Sequence, residues 1–152
     1  KELQCDIEKK HLKFSEEYPE NLPEMQFDPK LIRMIFQNLI SNSVKYTPEN
    51  GSVSVAVLLT KRGETIGGRG QLSDALCIKV SDTGYGIPES QQRNVFTKLF
   101  RADNVREKDT EGTGLGLYVV RSIARQSNGD TWFESVENKG TTFYVSIPFD
   151  GM

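Results

Sequence analysis

The segment DPKLIRMIFQNLISNSVKYTP, residues 28–48, contains the clearest helix in this chain. Asp28 supplies an N-cap side chain, and Pro29 occupies the first helical position, where its missing N–H costs nothing. The segment Thr47-Pro-Glu-Asn-Gly ends the helix. Apolar residues recur at helical spacing and predict one stripe that faces a core: Leu31, Ile32, Ile35, Phe36, Leu39 and Ile40.

Two strands with alternating apolar residues follow this helix. The first has Val53, Val55, Val57 and Leu59 on one face, and the second repeats the pattern at 76, 78 and 80. Residues 61–74 between them are polar and contain four glycines, so we expect a long, mobile hairpin connection without chemistry.

The remaining segments complete a mixed set of helices and strands. Their patterns predict short strands at 11–14 and 25–27 around a Pro-rich turn, and a short helix from Glu89 to about Phe96. A second long helix is predicted over 115–127 and is closed by Asn128-Gly129. The chain then forms a terminal hairpin of strands 131–136 and 141–147. Since helices and strands do not alternate regularly, we expect an α+β fold with one mixed sheet and helices over one face.

Length and composition restrict the classes of protein. The chain has 152 residues, which predicts a single domain over 1–152. Nineteen basic and 21 acidic residues give a net charge of −2, which argues against nucleic acid as a partner. Two distant cysteines disfavour a zinc or redox site and indicate a reducing compartment. No apolar run resembles a membrane span or a secretory signal.

Three polar segments interrupt the core patterns. On the first helix, Asn38, Asn42 and Lys45 lie at i, i+4 and i+7, within about 60° of one another. Two amides and an ammonium on one stripe offer oxygen ligands for a hydrated Mg²⁺ and a charge for phosphate. Taken alone, the same stripe also fits a simple solvated helix face.

The second segment is Asp82-x-Gly84-x-Gly86, directly after a predicted buried strand. A carboxylate there can accept a hydrogen bond from an exocyclic amine, and the glycines can let backbone approach a flat ring. Ile87 would supply an apolar wall. By itself the motif also fits an ordinary turn between a strand and a helix.

The third segment, Glu111-Gly112-Thr113-Gly114-Leu115-Gly116, opens a helix. Glycines at that place expose unpaired N–H groups, which with the helix dipole can bind phosphate. The segment lacks the Lys-Ser/Thr pair of a P-loop. No buried strand precedes it, as the dinucleotide-binding fingerprint requires.

Taken together and in this order, the segments resemble the N, G1 and G2 boxes of the nucleotide-binding domain of sensor histidine kinases. These belong to the wider gyrase, Hsp90, kinase and MutL ATPase superfamily. Asn38-Leu-Ile-Ser-Asn42-Ser-Val-Lys45-Tyr46-Thr-Pro is similar to the N box, and Val95-Phe96-Thr-Lys-Leu-Phe100-Arg101 is similar to the F box. The resemblance extends from about His11 to Pro148.

The resemblance implies a Bergerat fold: a two-layer α/β sandwich in which three helices cover one face of a mixed, mainly antiparallel sheet of about five strands. It also implies a mobile ATP lid over about residues 97–113, with Phe96 and Phe100 as its anchors. Without nucleotide, we expect residues 101–113 to be poorly ordered or displaced.

The resemblance also implies roles for individual residues in binding ATP and Mg²⁺. Asn42 would ligate Mg²⁺ with help from Asn38, Lys45 would reach phosphate, and Tyr46 would line the pocket. Asp82 would receive the adenine amino group. The other implied nucleotide contacts are Gly84, Gly86, Ile87, Phe100, Arg101, Gly112, Thr113, Gly114, Leu115 and Gly116.

The implied reaction is transfer of the γ-phosphoryl group of ATP to a histidine on a separate dimerisation domain, followed by relay to an aspartate of a response regulator. His11 is followed by Leu-Lys-Phe and does not match the acceptor pattern, so we expect the acceptor domain to lie outside this chain. The resemblance further implies a cytoplasmic location, a monomeric isolated domain and a homodimeric parent, whose membrane anchorage stays open.

Asn38 helps to distinguish the implied kinase from two alternative functions. Superfamily members that hydrolyse ATP resemble one another in a glutamate at this place, and an amide cannot take a proton at neutral pH. A hydrolytic enzyme is therefore the weaker alternative. A second alternative is a non-catalytic module whose lid changes shape with nucleotide and docks a partner.

Overall fold

The computed structural model describes residues 2–20, 27–96 and 116–149. The main sheet contains β1 (Lys13–Glu17), β2 (Ser52–Thr60), β5 (Ala75–Asp82), β6 (Asp130–Val136) and β7 (Gly140–Pro148). A small second sheet contains β3 (Thr65–Ile66) and β4 (Arg69–Gly70). The helices are α1 (Glu2–Lys9), α2 (Pro29–Lys45) and α3 (Gly116–Gln126), with a 3-10 helix at Glu89–Asn94.

The five strands of the main sheet follow the order β1-β2-β5-β7-β6. β1 runs parallel to β2, and the other neighbours are antiparallel, which confirms the predicted mixed, mainly antiparallel sheet. Helices α2 and α3 contact each other and the same sheet. The α+β class is therefore confirmed. Within the described ranges, no helix has the length and apolar character needed to cross a bilayer.

The core lies between the sheet and the two long helices. Asp28 caps α2 as predicted, since its side chain accepts a hydrogen bond from the Lys30 N–H at 2.9 Å. The inner residues of the strands alternate as expected, and the largest fully buried side chains include Phe143, Ile35, Leu39 and Ile78. Burying these side chains supplies the main driving force for folding.

Two predicted elements differ from the structure in extent, and a third lies mostly outside the described residues. The segment expected as a helix over 89–96 is a 3-10 helix of six residues, because the Gln92 side chain bonds the carbonyls of Ile87 and Ser135 and holds a tight turn. The first strand begins at Lys13, after His11 has taken a φ of 53°. Phe27 is not in a strand, and residues 25 and 26 lie outside the described residues.

Helix α1 was not predicted. It has eight residues and is mostly polar, and its apolar pair at helical spacing, Leu3 and Ile7, spans only about one turn, which is too short a repeat to indicate a helix. Ile7 packs against the main core, and α1 contacts α2. Short helices of this kind depend on tertiary packing rather than on their own propensity.

The segment 61–74 forms the predicted hairpin connection, and it also packs on the outer face of the sheet. There the Trp132 ring stacks on Tyr144 with centroids 5.3 Å apart, and its Nε1–H donates to the Gly67 carbonyl at 3.2 Å. Arg69 lies over the Trp132 ring, 5.2 Å from the centroid. The hairpin therefore covers a second apolar cluster that includes the buried Cys77.

Helix α3 ends as predicted at Asn128-Gly129, where Asn128 adopts a φ of 62°. Gly129 is required for a different reason, because a Cβ at this position would lie 1.9 Å from the Ser146 carbonyl oxygen of β7. We expect Gly129→Ala to lower the free energy of unfolding by about 1–3 kcal/mol, the usual cost of overpacking. Urea unfolding measures this change. Gly70→Ala, which meets no atom within 4 Å, is the control and should leave stability nearly unchanged.

The two cysteines should differ sharply in reactivity. Cys5 is exposed, whereas Cys77 is fully buried and its burial raises the pKa of the thiol to about 11. Since the thiolate is the reactive form, we expect Ellman's reagent to modify one thiol quickly in the native chain and the second only in denaturant. The Cys5→Ser variant should then show no fast phase, and a fast phase in that variant would contradict the packing of β5.

Candidate nucleotide-binding site

The polar face of α2 meets the beginning of α3. Asn38 Nδ2 donates to the Met34 carbonyl at 2.8 Å, which directs Asn38 Oδ1 away from its own helix backbone. A Cβ on Gly116 would lie 3.1 Å from that oxygen. The structure therefore brings Asn38 and Gly116 together, and Asn42 and Lys45 follow on the same helix, both partly exposed.

Asp82 ends β5 and is held by two backbone groups. Its Oδ1 accepts hydrogen bonds from the Gly84 N–H at 2.8 Å and from the Thr141 N–H at 3.2 Å. Both of these bonds end on Oδ1, and no hydrogen bond of normal geometry from the described residues ends on the second oxygen, Oδ2. The carboxyl group thus has a fixed plane and one oxygen free to accept from a ligand.

Burial raises the pKa of the Asp82 carboxyl above its ordinary value, while the hydrogen bonds from Gly84 and Thr141 lower it. The Ser43 hydroxyl lowers it as well, although this buried Oγ has no partner in hydrogen-bond geometry within the described chain. A buried polar atom without a partner costs free energy, so it marks a place where a ligand or water completes the network.

The two glycines after Asp82 are required by the packing of the protein itself. A Cβ on Gly84 would lie 2.4 Å from the Tyr46 carbonyl oxygen, and one on Gly86 would lie 2.2 Å from the Val136 carbonyl oxygen. Gly86 also adopts a φ of 70°. The structure thus adds a second reason for glycine beside the expected approach of a flat ring, because these positions bring the Asp82 turn onto the end of α2 and onto β6.

The remaining predicted residues are placed as follows. Tyr46 follows α2 and accepts the Tyr85 N–H at 3.1 Å, so the pocket-lining candidate touches the Asp82 turn. Ile87 packs in the main core with 9% exposure. Phe96 meets Phe133 and Phe143 edge to face, so it packs against the core. The segment 97–113, expected to form a lid, lies outside the described residues, as do Phe100, Arg101, Gly112, Thr113, Gly114 and Leu115.

Sequence reasoning missed Ser43 and Thr141. Ser43 could have been found, because it lies four residues after Leu39 on the buried stripe of α2, where a polar side chain is unexpected. Thr141 acts through its backbone N–H, which any residue but proline supplies. Its role depends on the pairing of Asp82 with Thr141 across β5 and β7.

The chain was compared with known families. The family model described as "Histidine kinase-, DNA gyrase B-, and HSP90-like ATPase" matches residues 27–151. The chain belongs to this family. Membership in this ATPase family implies that the chain binds ATP.

Relatives within this ATPase family include two kinds of sensory kinase. The chain is 37% identical over 147 residues to "Adaptive-response sensory kinase SasA" of Synechococcus sp. (strain JA-3-3Ab), a match covering 97% of this chain and 36% of that protein. It is 32% identical over 139 residues to "Sensor histidine kinase WalK" of Bacillus subtilis (strain 168), covering 91% of this chain and 21% of that protein. The chain therefore spans about a third or less of these relatives.

A solved structure of the same family supports the fold. The catalytic domain of histidine kinase ThkA, in a nucleotide-free form, is 25% identical and superposes with a TM-score of 0.75 over 98% of this chain and 86% of that chain. The mycobacterial sensor histidine kinase MprB has a TM-score of 0.73 at 20% identity and shares the fold. The sandwich expected for this ATPase family is confirmed.

The residues of this ATPase domain fit a nucleotide better than a metal held by the protein alone. The free Asp82 oxygen and the unpartnered Ser43 hydroxyl suit the edge of a purine. In the described part of the chain, no three His, Cys, Asp or Glu side chains form a metal site. A divalent ion here would need the neutral amide oxygens of Asn38 and Asn42 together with ligand phosphates and water, since substrate phosphates and water supply much of the usual coordination of Mg²⁺.

Proposed function

We propose that residues 1–152 form a single domain, the ATP-binding catalytic domain of a sensor histidine kinase. It binds Mg-ATP and transfers the γ-phosphoryl group to a histidine on a separate dimerisation domain of the same kinase. The phosphoryl group then passes to a receiver-domain aspartate of a response regulator. One observation carries the proposal: the Asp82 carboxyl group is fixed by Gly84 and Thr141 and keeps an unbonded oxygen next to the end of α2.

Asp82 recognises the adenine ring. Its Oδ2 accepts a hydrogen bond from the exocyclic amine, and this bond to an ionised group contributes about 1.5–3 kcal/mol. Bonds from the Gly84 and Thr141 N–H groups hold the carboxylate in place before the ligand arrives. Tyr46 lines the same pocket, since its backbone touches the Asp82 turn.

The phosphate end of the site lies along α2. Asn42 would ligate the Mg²⁺ and Asn38 would support it, and Asn38 Oδ1 lies close to Gly116, the first residue of α3. Lys45 neutralises phosphate charge. When bound, the metal neutralises charge on the phosphate oxygens during the transfer. Gly112, Gly114 and Gly116 would place backbone N–H groups on the phosphates, and Thr113 and Leu115 would contact the nucleotide between them. Phe100 would anchor the lid, and Arg101 would contact phosphate.

The domain positions ATP for transfer rather than for hydrolysis. In the reaction the bond between the γ-phosphorus and the oxygen that bridges it to the β-phosphorus breaks, and ADP leaves with the electron pair on that oxygen. A phosphorus–nitrogen bond forms to the acceptor imidazole, and the imidazole proton goes to a base on the acceptor domain. Asn38 cannot act as a base toward water at neutral pH. Catalysis here is mainly alignment and charge neutralisation.

The proposed reaction also implies a cellular location, an oligomeric state and a set of partners. Both protein partners and ATP are cytoplasmic, so the domain works in the cytoplasm. The isolated domain is a monomer, and the parent kinase is a homodimer through its helical domain. Nucleic acid is not a partner.

The experiment that tests the proposal joins this chain to a histidine-bearing dimerisation domain of a related sensor kinase and supplies γ-labelled ATP with Mg²⁺. We expect acid-labile, base-stable label on that domain, and none on a copy whose acceptor histidine is replaced by alanine. ATP binding without such label would favour the nucleotide-dependent docking module. Rapid release of inorganic phosphate by this chain alone would favour a hydrolase.

A further inference from the structure

Lys10 lies directly after α1, and its side chain reaches the C-terminal end of α2. Its Nζ donates to the carbonyl oxygens of Val44 at 2.9 Å, Lys45 at 2.9 Å and Thr47 at 3.1 Å. Carbonyl groups at the last turn of a helix lack intrahelical partners, and the helix dipole makes this end attractive to a cation. An ammonium group has three N–H donors, one for each of these carbonyls.

The backbone of Lys10 joins the same region. Its carbonyl accepts the Asn50 N–H at 2.8 Å, beyond the end of α2. The side chain and the backbone of one residue therefore tie the end of α1 to the segment 44–50. This arrangement closes the C-terminal turn of α2 from outside the helix.

The turn held by Lys10 is also the turn that supports Asp82. Tyr46 lies between the carbonyls of Lys45 and Thr47, and its own carbonyl accepts the Tyr85 N–H at 3.1 Å. The next contact is with Gly84, where an added Cβ would meet the Tyr46 oxygen at 2.4 Å. The Gly84 N–H in turn bonds the Asp82 carboxyl group at 2.8 Å.

We propose that Lys10 is a positioning residue for the adenine end of the site. Its ammonium holds the last turn of α2 against the Asp82 turn, so a displacement of α1 reaches the nucleotide pocket through this side chain. The inference deepens the proposed function and rests on it, because the ligand concerned is the purine of that site. A purely structural role would change stability without changing the affinity of the folded domain for nucleotide.

Lys10→Met tests the proposal, since it keeps the aliphatic stem and removes the ammonium. Lys9→Met is the matched control, because Lys9 is the exposed neighbouring residue at the end of α1 and undergoes the same change. Two measurements are made on each folded variant: hydrogen exchange of the Tyr46 and Tyr85 amides, and the Kd for ADP by calorimetry. We expect faster exchange at both amides and a Kd roughly two- to thirtyfold higher in Lys10→Met alone.

Unchanged amide exchange, or faster exchange with an unchanged Kd, would overturn the positioning role. Failure of the wild-type chain to bind ADP would contradict the proposed function, while the exchange data would still decide whether Lys10 holds the turn. If Lys10→Met does not fold, Lys10→Arg replaces it. Its planar guanidinium cannot serve three converging carbonyls equally, so we expect a smaller loss in the same direction, and behaviour like that of Lys9→Met would overturn the proposal.

Discussion

Asp82→Asn is expected to weaken ADP binding roughly 10- to 150-fold, the worth of a hydrogen bond to an ionised group. The asparagine oxygen can keep both bonds from the Gly84 and Thr141 N–H groups, so the turn is retained. Its NH₂ group then replaces Oδ2 and presents a donor to the exocyclic amine of adenine, which is also a donor. Isothermal titration calorimetry at neutral pH measures the difference.

The same variant should not lose stability. Burial raises the pKa of the Asp82 carboxyl in the folded chain, so the ionised form is disfavoured there. The resulting cost is absent below the unfolded-state pKa and grows as the pH rises toward and through the folded-state pKa. At pH 7 the neutral asparagine avoids that cost, and we expect its free energy of unfolding to equal or exceed that of the wild type.

Asp130→Asn is the control for this loss of affinity. Asp130 is half-exposed at the start of β6, where it pairs with Arg69. The Asp130→Asn variant should leave the Kd for ADP unchanged. Equal Kd values for the wild type and Asp82→Asn would remove Asp82 from the site.

Asn42→Ala should reduce phosphoryl transfer by a factor of about 10² to 10³, as expected when one group that stabilises transition-state charge is removed. The Asn42 side chain makes no hydrogen bond within the described residues, and its backbone carbonyl still accepts the Tyr46 N–H at 3.1 Å. The helix should therefore stay intact. The rate of phosphohistidine formation on a joined acceptor domain, at saturating Mg-ATP, measures the effect.

Ser41→Ala, at an exposed neighbouring position on α2, should leave the rate unchanged. Binding of ADP without Mg²⁺ should be nearly equal in Asn42→Ala and the wild type, because Asn42 acts through the metal and not through the purine. A normal transfer rate in Asn42→Ala would exclude Asn42 as the metal ligand.

Much of the fold was predictable because strong local signals agreed with the packing. Three local signals each predict one structure that also buries an apolar face. They are the helix N-cap at Asp28, the strand alternation through Val53, Val55 and Val57, and the left-handed helix end at Asn128. The terminal hairpin followed from its short connection, whereas the mainly antiparallel sheet was implied by the family resemblance.

The rest depends on contacts between distant parts of the chain. The polar helix α1 is held by α2, and the 3-10 helix is held by bonds from Gln92 to β6. Packing of the 61–74 hairpin on Trp132 depends on the outer face of the sheet. No local pattern contains these partners, so periodicity and propensity could not reveal them.

The candidate site was predictable as a set of residues but not as an arrangement. Asn38, Asn42, Lys45 and Asp82 were found from their spacing and from their resemblance to known boxes. That Thr141 holds the carboxyl group and that Lys10 closes α2 required the sheet pairing and the position of α1.

A crystal structure of the chain with ADP and Mg²⁺ tests the central claim most directly. We predict that the exocyclic amine of the purine donates to the Asp82 carboxylate within ordinary hydrogen-bond distance, about 2.7–3.2 Å. A purine bound elsewhere on the molecule, with Asp82 facing solvent, would contradict the proposed site.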